Sequence, residues 1–225
     1  MSRQKLHHTE AHPADDFGAA SLKVYDFARS HGRNMAIGAG VLAALVIGVV
    51  LVQSSRTSSN EAAASQLSAA MIDVNSNQLD AAAQKLTDVI SRYGGSAAGN
   101  RARLYLGDIE LKRGNAAAAL TQFEAFLGHV SSSDYFWTAG QRGRAIALEN
   151  QSKFAEAAKG FEALATGPMG EEERARALID AAQAHVRAAN NAAALASYDR
   201  VLREFPFSRS AAVAKIGKAE LAAGH

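Results

Sequence analysis

The sequence predicts an all-α protein with a single N-terminal transmembrane helix, followed by an α-solenoid of about four helix pairs plus a capping helix. Alanine-rich runs favour helix because alanine loses no side-chain entropy on ordering, and strand-forming runs are nearly absent. A charge-free apolar window lies near the N-terminus, and an amphipathic pattern recurs four times after it. Since only 7% of the residues are aromatic, we expect closely packed helices rather than a core of large side chains.

Charge and cysteine content exclude several classes of protein. The 24 basic and 22 acidic residues are dispersed along the chain without a basic stripe, so nucleic acid is not an expected partner. The chain has no cysteine, which excludes disulfides, thiolate metal sites, cysteine nucleophiles and the lipid-modified cysteine of a bacterial lipoprotein. Any membrane attachment must therefore come from the polypeptide itself.

The apolar window is long enough to cross a bilayer. No charged residue occurs between Asn34 and Ser55, and the 18 apolar residues from Met35 to Val52 would span about 27 Å as a helix. A cleaved signal peptide and a buried core helix are the alternatives. The long preceding region, the length of the run and the absence of a small-x-small site before Gln53 favour an uncleaved anchor.

Basic residues flank the window unequally. The cations before it are Arg3, Lys5, Lys23, Arg29 and Arg33. After it, Arg56 stands alone until Lys85. The positive-inside rule therefore predicts a cytoplasmic N-terminus and an extracytoplasmic C-terminal domain.

The window itself carries a ridge of small side chains. Ala36, Gly40, Ala44 and Gly48 recur every four residues, a spacing that lets another membrane helix approach closely. The alternative is that alanine and glycine are simply common in membrane helices.

The region before the window carries two features of its own. Residues 15–34 have an acidic start and a basic end, which suits a short juxtamembrane helix. His7, His8 and His12 form a cluster without further metal ligands, so we interpret the first fourteen residues as a disordered tail without a metal site.

Four segments after the window align with one another. The first column of the alignment holds Ala82, Ala119, Ala157 and Ala194, at spacings of 37, 38 and 37 residues. Four residues later come Leu86, Phe123, Phe161 and Tyr198, and three residues after those come Val89, Phe126, Leu164 and Val201. This i, i+4, i+7 stripe is typical of an amphipathic helix. Twelve residues before each alanine stands another small residue, at Ala70, Gly107, Ala145 and Ala182, which predicts a closely packed preceding helix.

These segments resemble the tetratricopeptide repeat family. In LYLGDIELKRGNAAAALTQFEAFL, Leu106–Gly107, the Gly114–Asn115 turn, Ala119 and Phe123 match the family pattern. The family's tryptophan and tyrosine positions differ here. We predict helix pairs at 61–92, 97–128, 135–165 and 172–204, and a capping helix at 208–223, because a repeat stack must cover its exposed end.

The resulting organisation has four parts. They are a cytoplasmic tail with a juxtamembrane helix (1–34), the anchor (35–53), a polar linker (54–60) and the repeat domain (61–225). This layout resembles the membrane-anchored ancillary subunit of the bacterial SecYEG translocon. It implies a single-pass protein of the bacterial inner membrane whose C-terminal domain is periplasmic or otherwise extracytoplasmic. On that face, it would act as a scaffold or chaperone-adaptor that binds client proteins or translocon subunits. The alternative is a scaffold that organises the cell envelope in division or in wall and outer-membrane coordination.

No catalytic constellation stands out in the sequence, and we expect neither an enzyme nor a cofactor. His185 lies where the family keeps a tyrosine, so we interpret it as a packed side chain. His129 has no partner at a recognised spacing, and Glu171, Glu172 and Glu173 suit a helix N-terminus better than a cation site.

The family resemblance also implies a concave binding surface lined by the first helix of each pair. The corresponding positions are Arg101, Leu104, Asp108, Leu111, Lys112, Arg142, Ile146, Asn150, Arg176, Ile179, Gln183 and Arg187. This mixture of apolar and basic residues suits an extended peptide with an apolar anchor and an acidic or C-terminal carboxylate group. The alternative is that the arginines are merely solvated.

Overall fold

A computed structural model describes residues 13–224, and these residues are helical with no strand. The helices are α1 (Pro13–Asn75), α2 (Leu79–Tyr93), α3 (Ala97–Lys112), α4 (Ala116–Leu127), α5 (Trp137–Asn150), α6 (Phe154–Ala165), α7 (Glu171–Arg187), α8 (Asn191–Glu204) and α9 (Arg209–Ala222). The predicted all-α fold is confirmed, and the predicted pair boundaries agree with these helices to within two residues at the ends from residue 92 onward. His7, His8 and His12 lie outside the described residues.

Helix α1 differs from the expectation of a short juxtamembrane helix, an anchor and a separate linker. It runs from Pro13 to Asn75 without interruption. Residues 54–60 contain neither glycine nor proline, and the Thr57 hydroxyl donates to the Gln53 carbonyl one turn earlier at 3.0 Å. Polar side chains that bond within the helix in this way leave the backbone ladder intact. The polar composition of residues 54–60 therefore does not break the helix.

The chain divides into two compact units, Met1–Thr57 and Ser58–His225. In the second unit, the end of α1 packs on α2 through Ala63, Leu67 and Ala70. After α2, each helix packs against the next one in sequence, and α3 also contacts α5, as α7 contacts α9. This is the arrangement of a helix-pair solenoid, in which each pair buries its apolar face against its neighbours.

The three aligned columns form the core of the solenoid. The alanines at 82, 119, 157 and 194 are all fully buried, and no member of the other two columns is more than 5% exposed. More than half of the buried apolar residues in the described chain are alanines. The sequence prediction of a core built from close helix packing is therefore confirmed.

Glycines make room for the aromatic column. A Cβ atom at Gly107 would lie 2.8 Å from the Phe123 ring, and one at Gly143 would lie 2.3 Å from the same ring. Phe123 on α4 therefore fits between α3 of its own pair and α5 of the next pair. Tyr198 and Gly217 repeat this relationship at the end of the stack, at 2.4 Å. The small-residue positions thus allow one aromatic side chain to hold three helices together.

Each helix pair turns through one left-handed residue. These residues are Asn77, Gly114, Ser152 and Ala189, with φ values of 57°, 78°, 60° and 57°. Glycine adopts this conformation without a steric cost, whereas alanine does not. Gly114 and Asn77 are therefore expected residues for their turns, since asparagine also adopts this region readily, whereas Ala189 is not.

Candidate binding groove

The predicted groove residues on α3 fall into two environments. Arg101, Asp108 and Lys112 are exposed, whereas Leu104 is only 2% exposed and packs with Ala119 and Phe123 in the core. Leu104 is therefore a core residue rather than a groove residue, because the small side chains of α4 and α5 let those helices close over it. Leu111 is half-buried against the same cluster.

Asp108 lies on α3, where its carboxyl group has a perturbed pKa. Its carboxylate is accessible to solvent, yet the protein that surrounds it restricts hydration. This burial raises the pKa of Asp108 above its usual value, and the charge of Lys112 partly opposes the change.

The arginines of the later first helices are held by acids one repeat away. Nη1 of Arg142 on α5 lies 3.0 Å from Oδ2 of Asp180 on α7. Nη1 of Arg187 at the end of α7 lies 2.6 Å from Oε1 of Glu149 on α5, and its guanidinium lies 6.0 Å from the Phe154 ring. These two ion pairs link adjacent first helices, so neither arginine is free to meet a ligand carboxylate without giving up its partner.

Helices α7 and α9 enclose a groove of about 520 Å³, which we call the α7–α9 groove. Its lining residues are Glu172, Glu173, Arg176, Ile179, Asp180, Gln183, Arg209, Ser210 and Val213. Three predicted positions, Arg176, Ile179 and Gln183, thus meet in one groove. Ile179 is 6% exposed and forms part of its apolar floor.

Charges of both signs line the α7–α9 groove. Glu172 accepts hydrogen bonds from the Arg209 backbone at 3.0 Å and from the Ser210 hydroxyl at 3.2 Å, which joins the start of α7 to the start of α9. Asp180 already forms an ion pair with Arg142. Within residues 13–224, Arg176, Arg209 and Glu173 have no ion-pair partner, so they are the charges left to meet a ligand. The groove is therefore more acidic than the sequence analysis expected.

Arg101 lies in a different place. It lines a cavity of about 220 Å³ with Asn100, Phe126 and Phe136, and its guanidinium lies 5.1 Å from the centre of the Phe136 ring. Such stacking on an aromatic face is an attractive cation–π contact. Arg101 and Arg176 therefore belong to separate sites along the stack. Ile146, which is half-buried against the core cluster around α6 and α7, lies at neither site.

The sequence analysis missed the acidic partners of the groove arginines. Arg142 and Asp180 are 38 residues apart, and so are Glu149 and Arg187. This separation differs by one residue from the 37-residue spacing between Ala157 and Ala194, the aligned alanines of the same two pairs. A search for opposite charges one repeat apart on the first helices would have found both ion pairs before the structure was known.

The residues considered as catalytic or metal-binding candidates each make a local contact or occupy a helix end. His185 is 8% exposed, and its Nε2 lies 2.9 Å from Oε1 of Glu162, while Nδ1 of His129 contacts the Ala125 carbonyl at 2.7 Å. Glu171, Glu172 and Glu173 occupy the first turn of α7, where negative charge interacts favourably with the helix dipole. The described part of the chain has no group of three or more potential metal ligands.

The apolar segment of α1 is not covered by protein. Within Ala36–Asn75 it is long and apolar enough to cross a membrane, and none of that window is buried. The ridge residues Ala36, Gly40, Ala44 and Gly48 are all exposed, and a Cβ atom at either glycine would meet nothing within 4 Å. The ridge is therefore available to another helix.

Stacked helix pairs with a lined inner surface define a helical-repeat protein of the binding-scaffold class. The chain belongs to the tetratricopeptide repeat family. A model described as a tetratricopeptide repeat-like domain matches residues 26–166, and a second tetratricopeptide repeat model matches residues 142–209. Since such repeats mediate protein–protein interactions, the chain is a protein-interaction scaffold.

Solved structures share the fold at low sequence identity. A tetratricopeptide repeat protein from Parabacteroides merdae superposes with a TM-score of 0.58 at 16% identity, over 71% of this chain and 58% of that one. PilF of Pseudomonas aeruginosa superposes with a TM-score of 0.50 at 18% identity, over 70% of this chain and 66% of that one. The chain thus spans less than two thirds of either neighbour. No curated protein matches its sequence significantly.

Proposed function

We propose that this protein is a membrane-anchored scaffold or chaperone-adaptor that presents its repeat domain on the extracytoplasmic face of the bacterial inner membrane. The observation that carries the proposal is the apolar window of α1, which is fully exposed in the protein. An exposed apolar helix of this length needs an apolar surrounding, because water penalises its surface. The lack of protein cover argues against the alternative of a buried core helix.

Two further observations support an anchor that stays attached to the repeat domain. The match to the tetratricopeptide repeat-like model begins at residue 26, upstream of the apolar window, so the window and the first repeats fall within one family unit. Helix α1 also continues from the window into the first repeat without a break. The excess of cations before the window supports a cytoplasmic N-terminus.

A topology experiment tests the anchor and its orientation. A reporter that is active only outside the cytoplasm, fused after residue 225, is expected to be active, and the mature protein in the membrane fraction is expected to keep its N-terminus. An inactive reporter would overturn the orientation. Mass spectrometry of a mature chain that starts beyond residue 52 would overturn the anchor and identify the window as a signal sequence.

The α7–α9 groove is the proposed site for an extended segment of a partner protein. Ile179 and Val213 supply apolar contacts, and Gln183 supplies amide hydrogen bonds. Arg176 and Arg209 are the cations available to an acidic group of the ligand, and Arg176 is the one that lies outside the α9 stripe described below. Glu173 adds a free acid near the mouth, which favours a segment that also carries a basic residue. The proposed ligand is therefore an extended peptide with an apolar anchor flanked by charges.

The groove is tested with the partner captured by the full-length protein from solubilised membranes. Replacing Arg176 by alanine is expected to weaken binding about tenfold or more, because hydrogen bonds to a charged group are worth about 1.5–3 kcal/mol. Lys159→Ala is the matched control, since Lys159 is exposed on the second helix α6, away from the groove. Equal affinities of the two variants would remove the groove from the proposal.

Capture from membranes also distinguishes the two candidate roles. We propose the secretion translocon as the machine that this scaffold serves, on the resemblance in layout to its ancillary subunit. Crosslinking in cells before solubilisation, followed by mass spectrometry, is expected to recover translocon subunits and secreted clients. Recovery of division, wall or outer-membrane assembly proteins instead would replace this role by that of an envelope organiser.

A further inference from the structure

Helix α9 is the last described helix of the repeat stack, and two large apolar side chains are exposed on its outer side. Its inner face packs on α7 and α8, with Ala214 and Gly217 buried. On the outer side, Val213 is 45% exposed and Ile216 is 60% exposed. Val213 and Ile216 are neighbours on the helix surface, with charged residues on either side of them. Adjacent exposed apolar side chains with a charged rim are typical of an interaction surface.

The exposed residues of this face form an ordered stripe, which we call the α9 stripe. It consists of Arg209, Val213, Ile216 and Glu220, all of them exposed. Their separations of four, three and four residues place them on one line along the helix. The order along the line is basic, apolar, apolar, acidic. Reversing the direction of the helix therefore exchanges the basic end with the acidic end and leaves the apolar centre in place.

We infer that the α9 stripe is a self-association surface that pairs with the α9 stripe of a second copy of this chain in antiparallel orientation. A two-fold axis near the middle of the helix places Arg209 opposite Glu220 of the second copy and Val213 opposite Ile216 of the second copy. Each contact then occurs twice, as in any interface between identical surfaces related by a two-fold axis. Three exposed residues, Ala212, Lys215 and Ala219, lie beside the stripe. The two alanines are small enough to let the helices approach closely, and the long stem of Lys215 lets its ammonium group reach solvent at the edge of the contact.

The charges of the stripe have no pairing role within one chain. Arg209 and Glu220 are eleven residues apart, about 16 Å along the helix, so they cannot reach each other. Within the described residues, the ion pair that α9 makes is between Lys218 and Asp199, and it lies outside the stripe. Among residues 13–224, neither Arg209 nor Glu220 has an ion-pair partner. A second copy satisfies both charges, and an unrelated partner would have no reason to match this symmetric order.

The test of the inference does not require a ligand in the α7–α9 groove, although the two surfaces share residues. Arg209 and Val213 line both surfaces, but Ile216 and Glu220 do not line the groove. Substitutions at Ile216 and Glu220 therefore test self-association while leaving the groove lining unchanged, and self-association is measured without any partner protein.

The test is sedimentation velocity of the purified full-length chain in detergent micelles over a range of protein concentrations. The unaltered chain is expected to form a dimer, and Ile216→Arg is expected to raise the dissociation constant at least tenfold. Arg209→Glu and Glu220→Arg are each expected to weaken the dimer, because each places like charges opposite one another twice. The double variant is expected to restore the dissociation constant to within about threefold. Lys159→Glu on α6 controls for a general effect of charge reversal.

Three outcomes would overturn the inference. They are a monomer at every concentration, a dimer that withstands Ile216→Arg, and a charge-reversed double variant that is no better than the single ones. A dimer that is lost in Gly40→Leu/Gly48→Leu but kept in Ile216→Arg would assign association to the membrane ridge instead.

Discussion

The Arg142 guanidinium on α5 and the Asp180 carboxylate on α7 lie 3.0 Å apart and are separated by 38 residues, one repeat along the chain. The pair joins the first helices of consecutive repeats on the side that carries the proposed groove residues. Both side chains are partly exposed, at 34% and 25%. Solvent therefore screens the pair, and its contribution to stability is modest.

The Arg142–Asp180 pair predicts a small and salt-dependent coupling. A double-mutant cycle of Arg142→Gln and Asp180→Asn in urea unfolding is expected to give an interaction free energy of about 0.2–1 kcal/mol. The coupling is expected to shrink at high salt, because ions screen partly exposed charges. A coupling unaffected by 1 M NaCl would mean that the two residues interact through packing rather than charge.

Freeing Arg142 is expected to change ligand preference. In Asp180→Asn, the guanidinium loses its internal carboxylate and becomes available to an acidic group of a bound peptide. Binding of an acidic partner segment is then expected to strengthen several-fold, as measured by titration at low salt, whereas Arg142→Gln/Asp180→Asn is expected to show no gain. Equal affinities of the single and double variants would show that Arg142 does not reach the ligand.

The glycine at 143 is predicted to be a packing requirement. Gly143→Ala places a Cβ atom within 2.3 Å of the Phe123 ring, and such overpacking costs about 1–3 kcal/mol. This cost exceeds the gain of about 1 kcal/mol that alanine brings to a helix. Chemical denaturation is expected to show a net loss. Gly95→Ala, with nothing within 4 Å, is the control, and Phe123→Leu is expected to reduce the loss in the Gly143→Ala background.

Replacing Ala189 by glycine is predicted to raise the free energy of unfolding. Its φ of 57° strains an alanine, and glycine removes this strain at a cost in unfolded-state entropy. The net gain expected for Ala189→Gly is up to about 1 kcal/mol, measured as a shift in the urea midpoint. Gly114→Ala at the equivalent turn is expected to lose stability. A gain in both variants would contradict the strain argument.

Asp108 predicts a pH dependence. Burial raises its pKa in the folded state, so the unfolded chain releases the proton first as the pH rises. Ionisation of Asp108 therefore opposes folding, and stability is lost as the pH rises from the unfolded-state pKa, about 3.9, through the higher folded-state value. Relative to the unaltered chain, Asp108→Asn is expected to gain stability across this window and at neutral pH. An identical pH profile for both proteins would show that Asp108 is fully hydrated.

The sequence by itself determined the repeat and its core. A helix must place residues i, i+4 and i+7 on one face, so the columns that contain Ala119, Phe123 and Phe126 could only be buried together. The recurrence of small residues twelve positions earlier predicted close packing at Gly107. The charge pattern also predicted the acidic first turn of α7.

Only the tertiary structure decided which side chains meet. Leu104 lies in the column that the family resemblance assigned to the groove, yet the packing of α4 and α5 buries it. Arg142 and Arg176 occupy similar positions in the sequence pattern. In the structure, Arg142 forms an ion pair with Asp180, whereas Arg176 has no ion-pair partner within residues 13–224. The apolar outer face of α9 likewise appears only once the packing of α7 and α8 fixes which side of α9 is inward. These differences depend on the distances between helices. The spacing of residues in the sequence specifies positions on a single helix and gives no information on those distances.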